Sequence, residues 1–212
     1  MFIELVDALR CPVPHEESWL VASADRMEAR HIVEGTLGCP VCRAEYPIRG
    51  GVVDFRREAP RALPPSTAAD PELAMRLAAF LDLSDATGFA VLVGARGAHA
   101  ALVRAQVDTP LVLVDPPENV QGEPGISVLR CDGELPLAAG AARGVAIDAD
   151  SAERVASAVR VTRVAGRVVA PASIPLPEGV RELARDDTDW VGERQPLASP
   201  VITLHVRRGA RG

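Results

Sequence analysis

Apolar residues beyond the first third of the chain come in short runs that are separated by stretches with helical spacing. Each run is followed by a glycine, an acid or a turn. Such runs are typical of strands buried on both faces of a parallel sheet, whose faces are covered by the intervening helices. The runs are Phe89–Val93, Pro110–Val114, Ile126–Leu129, Val145–Ile147 and Arg167–Ala170.

The stretches between the runs predict helices. Asp70 followed by Pro71 predicts the start of a helix. Aspartate caps the first turn, and the fixed φ angle of proline suits the first helical position. Helices are expected at Ala98–Val107 and Ser151–Val164, and Val201–Val206 alternates as an antiparallel edge strand does. This alternation of strands and helices predicts an α/β fold with a mostly parallel sheet.

Composition also divides the chain. Residues 1–56 hold three of the four cysteines, and residues 57–69 are rich in proline and charge without apolar periodicity. A stretch of that kind is typical of a linker. The sequence therefore predicts a small N-terminal β module at 1–56, a linker at 57–69 and an α/β domain at 70–212.

Charge and targeting signals narrow the function classes. The formal net charge of the 212 residues is −6, so the overall charge does not indicate nucleic-acid binding. All 23 basic residues are arginine, which excludes a Schiff-base lysine and the lysine of a Walker loop. The N-terminus lacks a signal-peptide pattern, and no apolar stretch approaches the roughly 20 residues that span a bilayer. We therefore expect a cytoplasmic protein without membrane contact, in which cysteines bind metal or stay free.

Cys39-Pro40-Val41-Cys42 is a Cys-x-x-Cys turn, which directs two thiolates at one tetrahedral ion. Cys11 supplies a third thiolate upstream. The matching fourth position is Pro14, which has no ligand atom, but His15 follows it. We predict a Zn²⁺ site of Cys11, His15, Cys39 and Cys42.

Two other interpretations of these residues stay open. Cys39 and Cys42 could form a redox pair, or the module could keep its fold without metal because of Pro14. His31 is a reserve ligand that the strand pattern places on the surface, and Cys131 is expected to be a small buried thiol.

Three segments of the N-terminal module resemble a family of small zinc ribbons that activate tRNA, ribosomal and release-factor methyltransferases. They are Leu9–Pro12, Ile32–Cys42 and Glu45–Val53, the last with the Tyr-Pro-Ile sequence and the Gly-Gly turn of that family. The resemblance covers about 55 residues and implies a zinc-ribbon fold. The chain departs from it at Pro14, and some bacterial members similarly lack cysteines. An exposed strand edge of such a ribbon could pair with a partner protein by β-augmentation.

Residues 70–207 resemble a class I S-adenosylmethionine-dependent methyltransferase, which implies a Rossmann-like fold. The resemblance rests on Ala90–Ala98, Leu113–Asp115 and Cys131–Leu137. It implies that Gly94 and Gly97 belong to the cofactor loop, that Asp115 accepts the ribose hydroxyls, and that Asp132 meets the adenine amine. A loop that approaches a cofactor closely needs glycine.

The cofactor loop departs from the family pattern at three positions. Leu92 replaces an acid, and Arg96 and Ala98 replace glycines, so that an arginine side chain stands where the ligand would approach. No methyl-acceptor motif follows the fourth strand. We therefore expect a zinc-ribbon/methyltransferase-like fusion, a non-catalytic or weakly cofactor-binding scaffold (a pseudoenzyme) that interacts with a partner of the methylation or translation machinery. The alternative is an active S-adenosylmethionine-dependent methyltransferase with its activator ribbon fused in cis.

Several single residues have a structural interpretation beside the functional one. Asp115 could simply begin a loop, and Asp132-Gly133 could be a plain turn. His99 is expected to face outward on the first turn of a helix. Trp190 is either an exposed lid or an anchor in the core.

Overall fold

A computed structural model describes residues 1–56, 63–66, 68–84, 86–148 and 151–196. Within these ranges all the strands belong to one sheet of eleven strands, in the order β1-β2-β3-β4-β7-β6-β5-β8-β9-β11-β10. Their bounds are β1 Val21–Glu28, β2 His31–Gly38, β3 Glu45–Arg49, β4 Val52–Asp54, β5 Ala90–Val93, β6 Leu111–Val114, β7 Ile126–Arg130, β8 Ala142–Ile147, β9 Thr162–Pro171, β10 Val180–Arg185 and β11 Asp189–Arg194.

The N-terminal unit is an antiparallel meander of β1 to β4, preceded by a 3₁₀ helix at Ile3–Ala8. The turn between β3 and β4 consists of Gly50 and Gly51, whose φ angles are +55° and +78°. Two consecutive residues at positive φ suit a tight hairpin turn, which glycine adopts without steric cost. The Gly-Gly dipeptide therefore sets the register of β3 and β4.

The second unit is α/β, as the apolar runs predicted. Strands β4, β7, β6, β5, β8 and β9 run parallel to one another, and β11 then runs antiparallel to both β9 and β10. The order β7-β6-β5-β8-β9 corresponds to 3-2-1-4-5 of a doubly wound, Rossmann-like sheet. All five predicted runs lie in these strands, whereas the polar strands β10 and β11 were not predicted. The predicted strand at Val201–Val206 lies outside the described residues.

The two units share the sheet. Val52, Val53 and Asp54 of β4 pair in parallel with Val128, Leu129 and Arg130 of β7. One cluster of buried side chains also extends through both units, from Leu5 and Ile48 to Val93 and Ile147. The N-terminal unit therefore packs as an extension of the α/β sheet.

Helices α1 (Pro71–Phe80) and α3 (Ala152–Val161) begin where the sequence predicted, whereas the helix predicted at Ala98–Val107 is shorter at both ends, at Ala100–Arg104. The Asp70 carboxylate accepts the amide hydrogens of Glu72 and Leu73 at the start of α1, Pro71–Phe80. Two segments follow β5, a 3₁₀ helix at Gly94–His99 and α2 at Ala100–Arg104. Helix α3 spans Ala152–Val161, so the predicted end at residue 164 is wrong, and the chain passes directly into β9. None of the helices in the described ranges is both long and apolar enough to cross a bilayer.

The burial of Trp190 and His99 tests two predictions about their side chains. Trp190 is fully buried in β11, and its indole donates to the carbonyl of Ile174 at 2.9 Å, so it is a core anchor. His99 is also buried, and its Nδ1 accepts the amide hydrogen of Asp70 at 3.0 Å. The prediction that His99 faces outward is wrong, because it assumed an α-helical phase where residues 94–99 form a 3₁₀ helix.

Candidate functional site

Four predicted metal ligands meet at one end of the N-terminal unit. The ligand atoms of Cys11, His15, Cys39 and Cys42 all lie within 4.8 Å of one another. Cys11 Sγ is 3.7 Å from Cys42 Sγ, and Cys39 Sγ is 3.4 Å from His15 Nε2. Zinc–sulfur bonds of about 2.3 Å in a tetrahedron place two sulfurs about 3.8 Å apart. These contacts therefore have the spacing of neighbouring ligands around a Zn²⁺ ion.

The turn at residues 39–43 prepares the second half of this cluster. The Cys39 amide donates to Ala44, and the Cys39 carbonyl accepts from Arg43, whose φ of +61° closes the turn. Burial by itself raises the pKa of the Cys39 thiol, but hydrogen bonds from the amides of Cys42 and Val41, together with those from the Cys42 and Cys11 thiols, lower the pKa to about 6. The folded turn therefore stabilises a thiolate, the form that binds metal.

The first half of the cluster is held by a short β-bridge. Arg10 pairs with Trp19, and the Cys11 amide donates to the Ser18 carbonyl at 3.1 Å. The loop between them brings His15 to the cluster. The Cys11 thiol also contacts the Tyr46 hydroxyl at 3.2 Å. The reserve ligand His31 and the fourth cysteine, Cys131, both lie outside the cluster.

The predicted cofactor loop is tightly packed. Gly94 has a φ of +68°, and a Cβ built on it would lie 2.9 Å from the Asp148 carbonyl oxygen. A Cβ on Gly97 would lie 2.6 Å from the Cβ of Pro116. These glycines therefore allow the loop to pack on the segments that follow β6 and β8. Close packing is a different reason for glycine from the cofactor contact that the resemblance implied.

The carboxylate of Asp115 is engaged within the chain. Its Oδ1 accepts the Cys131 amide hydrogen at 2.9 Å, and its Oδ2 forms an ion pair with Arg154. Only 13% of the Asp115 side chain and 11% of the Arg154 side chain are exposed. Asp115 follows β6 and Arg154 lies in the first turn after β8, while β5 runs between those strands. The ion pair therefore crosses the carboxyl end of β5, where doubly wound sheets bind ligands.

A second ion pair lies along the same edge of the sheet. Arg96, in the 3₁₀ segment after β5, binds the carboxylate of Asp189 at the start of β11, and both side chains are largely buried. The sequence predicted that Arg96 would obstruct the ligand. Arg154 and Asp189 were not predicted, since neither belongs to a motif and their partners are 39 and 93 residues away.

Asp132 is exposed and follows Cys131 in the connection from β7 to β8. It lines a cavity of about 810 Å³ between the loop at residues 10–17 and the connection from β7 to β8. Cys11 and His15 line the same cavity. Cys131 lines it too, and the Cys131 amide donates to the Asp115 carboxylate at 2.9 Å, so Asp132 lies next to a residue that contacts the crevice at the end of β5.

Comparisons with known proteins give information on the fold of this chain alone. No protein-family model matches the chain, and neither does any curated protein. Among solved structures, a putative S-adenosyl-L-methionine-dependent methyltransferase from Methanococcus maripaludis is 12% identical over 62% of this chain and 87% of its own, with a TM-score of 0.46. A putative methyltransferase from Escherichia coli is 13% identical over 70% and 94%, with a TM-score of 0.43.

A geranyl diphosphate C-methyltransferase from Streptomyces coelicolor is 16% identical over 47% of this chain, with a TM-score of 0.40. The chain spans only 42% of that enzyme's length. Likeness at these identities bears on the fold alone. What this chain does has to be inferred from its own residues.

Proposed function

We propose that this chain is a zinc-binding protein of methyltransferase-like fold whose cofactor crevice is closed by its own side chains, and that it acts through a protein partner. The observation that carries the proposal is the ion pair between Arg154 and Asp115. Both partners are nearly buried, and they meet across the end of β5. The crevice in which a nucleoside cofactor would lie is thus bridged by the protein itself.

Cofactor binding would have to break this arrangement. A ribose needs the carboxylate of Asp115 to accept its hydroxyl hydrogens, but one oxygen accepts the Cys131 amide hydrogen and the other is bound by Arg154. Releasing Arg154 would leave a guanidinium without its partner in a largely buried place, which costs several kcal/mol. The sulfonium of S-adenosylmethionine would also enter beside this released cation. We therefore expect no binding at micromolar concentrations.

The proposed zinc has a structural role. Three thiolates and one imidazole form a complete tetrahedral donor set, as in closed structural sites. The ion would join the loop of Cys11 and His15 to the turn of Cys39 and Cys42. It would therefore fix the end of the ribbon at which β1 and β2 meet the rest of the chain.

The proposed partner pairs with the free edge of the ribbon. Strand β4 is already paired with β7, whereas β1 is the outermost strand of the sheet and its side chains are mostly exposed. An exposed strand edge offers unpaired backbone groups to another chain. The resemblance to methyltransferase activators suggests a partner from the methylation or translation machinery.

A second candidate function is catalysis of methyl transfer, with the ribbon fused in cis. The solved structures of similar fold are named as methyltransferases and favour this candidate over a scaffold. In this case Asp115 would release Arg154 and bind the ribose, and Gly94 would admit the methionine end of the cofactor. The protein would catalyse in-line transfer of the methyl group mainly by positioning the reactants.

Calorimetric titration of S-adenosylmethionine into the zinc-loaded chain separates the two candidates. We expect no heat of binding with the wild type at millimolar cofactor. Micromolar binding that is lost in Asp115→Asn would overturn the scaffold proposal in favour of the enzyme. Arg154→Ala is the matched variant, because it opens the crevice while it keeps Asp115. Binding that occurs only in Arg154→Ala would show that the ion pair closes the crevice.

A further inference from the structure

The buried side chain of Tyr46 reaches the Cys/His cluster from β3. Tyr46 is only 2% exposed, and its hydroxyl oxygen lies 3.2 Å from Cys11 Sγ. Cys11 Sγ is in turn 3.7 Å from Cys42 Sγ. Tyr46 is not one of the four predicted ligands, so its hydroxyl contacts the donor set from outside.

Packing fixes the position of this hydroxyl. The Tyr46 ring packs against the ring of Phe55, with centroids 4.8 Å apart and planes inclined at 48°. The backbone of Tyr46 pairs with Leu37 of β2, and the Phe55 amide donates at 2.8 Å to the carbonyl of Arg130 at the end of β7. A buried ring that is held in this way has already lost its rotamer freedom on folding. A hydrogen bond from its hydroxyl therefore requires little further ordering.

The two halves of the cluster begin with the same three residues but do not offer the same hydrogen bonds. Cys11–Val13 and Cys39–Val41 both have the sequence Cys-Pro-Val. The Cys39 sulfur accepts the amide hydrogens of Val41 and Cys42, which are the second and third residues after it. The Cys11 sulfur accepts the amide hydrogen of Val13, the second residue after it. The halves therefore differ at the third residue.

Pro14 is the third residue after Cys11, where the other half has Cys42. Proline has no amide hydrogen, so the backbone offers the Cys11 sulfur no donor at this position. The Tyr46 hydroxyl lies within hydrogen-bonding distance of the same sulfur. It is thus placed to supply the second hydrogen bond that the backbone supplies to Cys39.

The direction of this hydrogen bond follows from the chemistry of the ligand. A cysteine binds zinc as a thiolate, which has no hydrogen to donate. The Tyr46 hydroxyl therefore donates, and the Cys11 sulfur accepts. Hydrogen bonds to an ionised acceptor are roughly twice as strong as neutral ones. Partners outside the ligand set also orient the ligands, and their loss weakens metal binding.

We infer that Tyr46 is a positioning residue of the metal site, and that its hydroxyl donates to the zinc-bound thiolate of Cys11 in place of the amide that Pro14 lacks. The inference rests on the zinc site of the proposed function. It goes beyond that site because it assigns to a buried residue of β3 the part of the local pattern that is missing at residue 14.

Tyr46→Phe tests the hydroxyl, since it removes one oxygen atom and keeps the ring that packs against Phe55. Zinc affinity is measured on the full chain by competition with a chromophoric chelator. We expect the zinc dissociation constant to rise about tenfold. Ile48→Val is the matched control, because Ile48 is buried in the same strand and loses one methyl group while the hydroxyl stays. Its zinc dissociation constant should equal that of the wild type.

Cobalt substitution gives a readout that a change in packing would not move. Co²⁺ bound by thiolates absorbs light through charge transfer from sulfur to metal. A thiolate that loses a hydrogen bond donates electrons more readily, so this absorption should move to longer wavelength in Tyr46→Phe. Ile48→Val should have the spectrum of the wild type.

The outcomes separate this inference from the zinc site itself. A wild-type chain that binds neither zinc nor cobalt would refute the zinc site, and the role of Tyr46 with it. Equal zinc affinities of Tyr46→Phe and the wild type would overturn the role of Tyr46 alone. A weaker affinity with an unchanged cobalt spectrum would also overturn it, because Tyr46 would then act only by packing. A weaker affinity together with the shifted spectrum would establish the hydrogen bond.

Discussion

Arg154 donates to the carboxylate of Asp115 across the carboxyl end of β5. The two residues are 39 positions apart in the sequence and follow strands that are not neighbours in the sheet. Their contact closes the place where a sheet of this order would hold a cofactor. We therefore expect the ion pair to affect both the stability of the fold and the binding of a nucleoside.

Removing either member of this pair should destabilise the protein. We expect Arg154→Ala and Asp115→Asn each to lower the free energy of unfolding by about 2–4 kcal/mol, because each leaves a largely buried group without its partner. The double variant Arg154→Ala, Asp115→Asn should lose clearly less than the sum, since no charge is then left unpaired. Urea unfolding followed by tryptophan fluorescence measures all three variants.

A surface pair provides the control for this double-mutant cycle. Arg26 and Glu28 also form an ion pair, but about half or more of each side chain is exposed. Arg26→Ala should therefore change the free energy of unfolding by no more than about 0.5 kcal/mol. Strictly additive losses at Arg154 and Asp115 would show that the two side chains are not coupled.

Zinc should bind to the chain and stabilise it. At free zinc a thousandfold above the dissociation constant, the ion adds about 4 kcal/mol to the free energy of unfolding, so a chelator should lower the melting temperature. Cys39→Ser should lose both the metal and this stabilisation, as measured by metal analysis and calorimetry. Cys131→Ala is the matched control, because Cys131 lies outside the cluster. Undiminished zinc content in Cys39→Ser would refute the proposed ligand set.

The close approach of Gly97 to Pro116 predicts a sensitive position. A Cβ at Gly97 would lie 2.6 Å from the Cβ of Pro116. Gly97→Ala should therefore lower the free energy of unfolding by about 1–3 kcal/mol through overpacking. Gly133→Ala, where a Cβ meets no atom within 4 Å, should cost no more than about 0.5 kcal/mol. Similar losses at both sites in urea unfolding would contradict the packing argument.

His99 should make the protein less stable at mildly acidic pH. Burial lowers the pKa of His99 below its usual value of 6.5, and the Arg96 charge lowers it further, against the attraction of Asp70. Below pH 6.5 the unfolded chain therefore takes up a proton at this residue before the folded chain does, and the stability falls as the pH falls towards the folded-state pKa. Protonation of Nδ1 also removes the acceptor for the Asp70 amide hydrogen at the start of α1.

The pH dependence of urea unfolding measures this effect. His99→Gln keeps a hydrogen-bond acceptor but cannot be protonated, so its stability should fall less than that of the wild type between pH 7 and the folded-state pKa. The same slope in both proteins would assign the acid sensitivity to other groups.

The edge strands show why part of the sheet could not be predicted. Strand β10 contains Arg-Glu-Leu-Ala-Arg with every side chain exposed, and β11 is interrupted by a glycine. Neither has the apolar run that marked β5 to β9. Charged residues are common on outer strands, where they oppose pairing with other chains. These strands form because β11 pairs with β9 and buries Trp190, and a local pattern does not contain that pairing.

The sequence by itself determined the strands that are buried on both faces and the four residues that the fold brings together as a Cys/His cluster. An apolar run and a Cys-x-x-Cys turn are local patterns whose geometry follows from a few adjacent residues. Cys11 and His15 were recognised because a thiolate and an imidazole are the side-chain groups that complete such a donor set. Only the tertiary structure decided that β4 joins β7, that the loop at residues 10–17 faces Asp132 across a cavity, and that Arg154 binds the carboxylate of Asp115. Each of these depends on a contact between distant segments, and such contacts are selected by the packing of the whole sheet.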